Sequence, residues 1–230
     1  MFPRSGYYFA VLLAIAVFAF WPSYFSKLSA ATAYMHAHAV IMSLWMLLLV
    51  AQPFLIRARR HDLHRRFGRV AFVLAPLAVV TALLLSHSRL ASLGSAELAA
   101  AAPFVYLPLQ AAGLFGLTAA LALVHRKSPP LHARYMLCTA LTLIDPVVAR
   151  IIGFRLPALE NELHYAVVGF AITDALLLVL VLADARAGRG RGVFATMLAV
   201  FGLVHAGYFT LAQTQAWQQF VGVFRTLPLT

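Results

Sequence analysis

The stretch "TAYMHAHAVIMSLWMLLLVAQPFLI" (Thr32–Ile56) carries no Asp, Glu, Lys or Arg, and it stops at "RARRHDLHRRFGR" (Arg57–Arg69). At 1.5 Å rise per residue the apolar part exceeds the ~30 Å hydrocarbon core of a bilayer. Composition agrees: 63% of the 230 residues are hydrophobic, 11% are charged and the mean hydropathy is +0.86. A soluble domain has about 25% charged residues, so an integral membrane protein is expected.

Seven such runs are found, over Tyr7–Tyr24, Thr32–Ile56, Phe67–Ser86, Pro103–Val124, Tyr135–Ile152, His164–Ala183 and Val193–Trp217. No alternating ten-residue pattern of a membrane barrel is present, which leaves helices as the spanning element. The expected fold is an all-α, seven-transmembrane-helix bundle forming one domain over 1–230. The first run is longer than a signal-peptide core and "WPSYF" offers no small-x-small cleavage site, so it is read as a retained helix.

Basic residues set the expected orientation. With the N-terminus in the cytoplasm, Arg4, Arg57 to Arg69, Arg126, Lys127, Arg134, Arg186, Arg189 and Arg191 fall inside; only Lys27, Arg89, Arg150, Arg155 and Arg225 of the 18 Lys and Arg fall outside. The C-terminus is then external. The +11 net charge is directed at anionic lipid head groups, and nucleic acid is excluded as a partner because "RARRHDLHRR" is only a short loop between spans.

Leu-His-x-Arg-aromatic occurs twice, in "LHRRFG" (Leu63–Gly68) and "LHARYM" (Leu131–Met136), each opening a span after a basic cluster. The repeat suggests two similar hairpins, 32–86 and 103–152, related as internal repeats of membrane proteins often are. His64 and His132 then lie at one depth. They either anchor their helices at the interface or share a site for an anionic head group, a quinone or a metal, while the arginines reach for lipid phosphates.

Ionisable groups inside spans are functional candidates by default. His36 and His38, two residues apart, point about 200° away from each other, so one small ion cannot take both. His132, Tyr135, Cys138 or Thr139, Thr142 and Asp145 draw a polar stripe down the fifth span. Pro146 leaves the carbonyl of Thr142 without its helical donor. Arg150 is placed to pair with Asp145 or to reach outward. Gln110, Asp145, Asp174 and His205 join His36 or His38 in a band about 10 Å thick in the outer half.

Imidazoles on several helices at one depth suit haem b, copper or iron. The metal-ligand candidates are His36, His38, His205, Asp145 and Asp174, with His64 and His132 as further cofactor contacts. No Glu-x-x-His or His-Glu-x-x-His motif and no Gly-rich phosphate loop is present. No Lys lies in a span, so a retinal Schiff base is excluded.

"HAHAV", "LHRRFGR" and "LHARYM" resemble the motifs of uncharacterised bacterial multi-pass membrane proteins with a membrane His and repeated His-Arg pairs. More loosely they are similar to transmembrane cytochromes b and to membrane proteins of oxidase assembly. The resemblance implies a redox cofactor, electron transfer or respiratory-oxidase assembly, and a respiratory complex as partner. The residues by themselves leave two rivals open: a proton-coupled small-solute transporter using Asp145 and Asp174, and a structural subunit of a membrane complex.

Overall fold

The computed structural model describes residues 4–156, 162–188 and 192–230; Arg189, Arg191 and part of the loop before the last span lie outside them. The described chain is helical with no strand: α1 (Ser5–Phe20), α2 (Ala33–Arg57), α3 (His61–Gly68), α4 (Ala71–Ala91), α5 (Ser95–Val124), α6 (Pro129–Leu141), α7 (Ile144–Arg155), α8 (Glu162–Arg186), α9 (Val193–Phe209) and α10 (Gln215–Thr226).

Among the described residues six helical segments are long and apolar enough to cross a membrane: Ala33–Arg57, His61–Ala91, Ala96–Lys127, Pro129–Arg155, Tyr165–Arg186 and Val193–Gln213. The first run falls short. Its helix has 16 residues, about 24 Å at the usual rise, because "WPSYF" turns the chain and Phe25–Ala30 continues as a 3-10 segment. The last run is also shorter than its hydropathy suggests. Its α-helix stops at Phe209, a 3-10 turn over Leu211–Gln213 ends the segment, and Thr214 caps a separate helix by accepting from the Trp217 amide at 3.2 Å. That helix, α10, is amphipathic and lies against α5 and α4, with Trp217 Nε1 donating to the Ala102 carbonyl at 2.7 Å.

Two of the spanning segments are broken. Arg69 and Val70 separate α3 from α4. Thr142 and Leu143 separate α6 from α7, one turn before Pro146, as the missing N–H of that proline requires. The Thr142 hydroxyl donates to the Thr139 carbonyl at 2.8 Å inside this break.

Packing relies on close approach of small residues, as it must where lipid removes the hydrophobic drive between helices. Ala71, Ala75 and Ala78 of α4 seat it on α2 and α5 beside the buried Trp45–Phe115 pair, whose ring centroids are 5.0 Å apart. Gly207 leaves room for the Tyr106 hydroxyl, which donates to the Val204 carbonyl at 2.8 Å and joins α5 to α9. The outer surface carries large apolar side chains such as Val73, Val179 and Leu203, the surface a bilayer solvates.

Candidate functional site

Helix direction brings Arg57, the Arg65–Arg69 cluster, Arg126, Arg134 and Arg186 to one end of the bundle, here called the basic end. Two polar constellations sit at different depths from it.

The deeper one is centred on His205. Counting from Val193 and from Arg186, His205 and Asp174 each lie about 18 Å along their helices from the basic end. Nδ1 of His205 is 3.1 Å from both carboxylate oxygens of Asp174. Its Nε2 is 3.4 Å from Oδ2 of Asp145, an ion-pair contact too long and bent for a strong hydrogen bond. The other oxygen of Asp145 accepts from the Thr173 hydroxyl at 2.6 Å. Phe170 stacks on the imidazole at 4.1 Å with 11° between planes, and Phe201 meets it edge-on at 5.9 Å. The imidazole is therefore held flat between two carboxylates from α7 and α8.

Local structure explains why these residues meet. The break before α7 puts Asp145 in the first turn of a new helix, where a carboxylate is favoured by the exposed N–H groups. Gly169 lets α8 come close: a Cβ there would stand 3.2 Å from Cα of Asp145. Asp174 is 31% exposed at its side chain, whereas His205 is 4% exposed, so the cluster runs from the bundle surface to its interior.

His36 and His38 do not join this cluster. Nδ1 of His36 bonds the Tyr24 hydroxyl at 2.9 Å. Nδ1 of His38 lies 3.1 Å from the Thr81 hydroxyl, whose own proton goes to the Leu77 carbonyl at 2.7 Å, so the imidazole is the donor. The two rings point to different elements, as their spacing requires. Arg150 does not pair with Asp145: it donates to the Pro146 carbonyl at 3.0 Å and lies 4.0 Å over the Phe20 ring. Gln110 is buried with its carbonyl oxygen unbonded. Among the described residues no group of three or more His, Cys, Asp or Glu side chains is arranged to hold a metal ion.

The second constellation is at the basic end. His64 and His132, from the two copies of the motif, line one cavity of about 600 Å³. In the amide orientation that satisfies its neighbours, Gln52 donates to Nδ1 of His64 and accepts from the Gly68 amide at 3.2 Å. Nδ1–H of His132 donates to the Ala122 carbonyl at 2.8 Å. Each ring is thus oriented through Nδ1.

One feature escaped the sequence reading. Arg134 does not reach for lipid: it is buried and forms a forked pair with Asp184, Nε to Oδ2 at 2.6 Å and Nη2 to Oδ1 at 2.8 Å, while Nη1 donates to the Pro130 carbonyl at 2.9 Å. The available signal was depth, since both residues stand within about two turns of the basic ends of their helices. No protein-family model, curated protein or solved structure matches the chain.

Proposed function

We propose that this chain is a proton-coupled small-solute carrier of the bacterial cytoplasmic membrane, with its basic end in the cytoplasm and α1 as a seventh, short span. The observation that supports it is the placing of His205 between Asp145 and Asp174. A neutral imidazole leaves two negative charges in the bundle and an imidazolium leaves one. Uncompensated charge is costly away from water, so a proton gained or lost by one of the three groups changes the charge balance of all three. A proton taken by Nδ1 from Asp174, with release of the Nε2 proton to Asp145 once that 3.4 Å contact shortens, carries one proton between the carboxylates, and the reverse exchange restores the first tautomer of the ring.

The same contacts weigh against haem or copper in this band, because both ring nitrogens of His205 face carboxylates and the rings of His36 and His38 are bonded elsewhere. The purified protein is expected to be colourless. A haem absorption band lost in His38→Ala or His205→Ala would favour the redox reading instead.

The test uses proteoliposomes enclosing a pH-sensitive dye, with proton entry driven by an imposed potential, before and after adding a small-metabolite extract of the producing cell. Extract-dependent proton entry is expected, with at least a tenfold loss in His205→Gln and Asp174→Asn and none in Arg59→Gln. Entry equal to that of empty vesicles in every arm would end the proposal. Orientation is checked with an impermeant thiol reagent on intact cells: a cysteine at Ala96 should react and one at Lys127 should not. The native Cys138 is fully buried and gives little background.

A further inference from the structure

The cavity at the basic end is not used by the proton cluster, and its lining has a definite chemistry. Leu48, Leu49, Met136 and Leu137 give it apolar walls. The exposed Arg57, Arg65, Arg69 and Arg126 also line it, and among the described residues no Asp or Glu does. Two of these cations are fixed in place. Arg57 donates to the Tyr7 hydroxyl at 3.3 Å and lies over that ring, and Arg126 donates to the Leu123 carbonyl at 3.1 Å and lies over Phe72. None of the four has a carboxylate within ion-pair distance among the described residues; the one carboxylate of that loop, Asp62, is 3.9 Å from Arg60.

The two imidazoles complete the site. With Nδ1 of each ring bonded inside the protein, neither Nε2 makes a protein hydrogen bond among the described residues. For His64 the Gln52 amide proton on Nδ1 puts the ring's own proton on Nε2, a donor for the cavity's occupant. Guanidinium groups match phosphate oxygens through paired N–H bonds and are weakly hydrated. Pockets of a few hundred to about 1,000 Å³, mostly apolar with a few placed polar groups, are the ordinary form of a small-ligand site.

We propose that this cavity binds one anionic phospholipid, its phosphate held by Arg65 and Arg69 with the imidazole of His64, and the first part of an acyl chain lying along Leu48 and Met136. His132 stands on the opposite side of the repeat and orients the head group. The site rests on the cavity and not on the proton cluster, so either proposal can fail without the other.

Native mass spectrometry of the whole protein, released from detergent after exchange into phosphatidylglycerol or phosphatidylcholine, reads the answer. The wild type should retain one phosphatidylglycerol and no phosphatidylcholine. Arg65→Gln/Arg69→Gln should weaken retention at least tenfold, and His64→Gln about threefold. Arg59→Gln/Arg60→Gln, which removes the same charge from the same loop outside the cavity, should leave it unchanged. Ala133→Phe, which fills the cavity with no change of charge, should abolish it. Equal loss in the Arg59/Arg60 variant, or full retention in Ala133→Phe, would show only diffuse attraction to the basic loops and would overturn the site. Should the double arginine variant fail to fold, the cavity-filling and His64 variants decide.

Discussion

Arg66 and Arg134 hold the same place in the two copies of Leu-His-x-Arg-aromatic, yet Arg66 is exposed on the short helix α3 and Arg134 is buried against α8. The first copy forms a helix of its own before the chain bends into α4; the second is the opening of α6 itself. Only the second finds an acidic partner, because α8 ends beside it with Asp184. The histidines behave in the opposite way: His64 and His132 reach the same cavity from both copies. Local sequence set their depth, and the neighbouring helices set what each side chain became.

The largest expected effect tests the buried member of the comparison. Arg134→Leu leaves Asp184 buried and unpaired, which should lower stability by about 3–5 kcal/mol. Arg134→Leu/Asp184→Leu should recover most of that loss, because the pair's desolvation is then absent. Chemical unfolding in bicelles measures both, and a double variant no better than the single would mean that the fork has a value beyond charge pairing. Arg66→Leu, by contrast, should leave the unfolding curve unmoved.

Asp145 comes next. Asp145→Leu strips an acceptor from Thr173 and a counter-charge from His205, and should cost about 3 kcal/mol. Asp145→Asn keeps an amide oxygen for Thr173 and should cost about 1–2 kcal/mol. Equal costs would mean that His205 and Thr173 do not depend on it. Thr173→Val, which removes one hydroxyl donor from a carboxylate, should cost about 1.5 kcal/mol.

The smallest effect concerns the shared cavity. A cycle of His64→Ala and His132→Ala should be additive to within about 0.5 kcal/mol in lipid-stripped protein, and should show coupling above that figure with phosphatidylglycerol present. Additive behaviour in both conditions would return the two imidazoles to separate anchoring roles.

Much of this molecule was legible before its fold was known. Six of the seven expected runs follow from apolar length as helices long enough to span, the break at Thr142 follows from Pro146, and the common depth of His64 and His132 follows from the repeat. Rotation about each helix axis was not legible. Asp145 faces His205 and Thr173 while Arg150, five residues on, faces Phe20 of α1; no spacing rule within α7 distinguishes these neighbours. The Arg134–Asp184 pair was hidden for the same reason, since an arginine at the basic end fits topology equally well when it reaches for lipid. Hydropathy overran at Tyr24 and at Trp217 because aromatic residues are as common at the membrane boundary as within it.

Helix α1 carries a consequence for the surrounding bilayer. It is pinned at one end by Tyr7 against Arg57 and Phe54, and at the other by Phe18 and Phe20 under Arg155 and Arg150, with ring-to-guanidinium distances of 4.7 and 4.0 Å. A 16-residue helix so held spans about 24 Å against a hydrocarbon thickness of ~30 Å. With α1 as the seventh span proposed above, the lipid beside it has to thin, at a fraction of a kcal/mol for each ångström of mismatch. The protein should therefore be most stable in bilayers of short acyl chains and partition toward thinner membrane regions, with α1 as the edge that senses thickness.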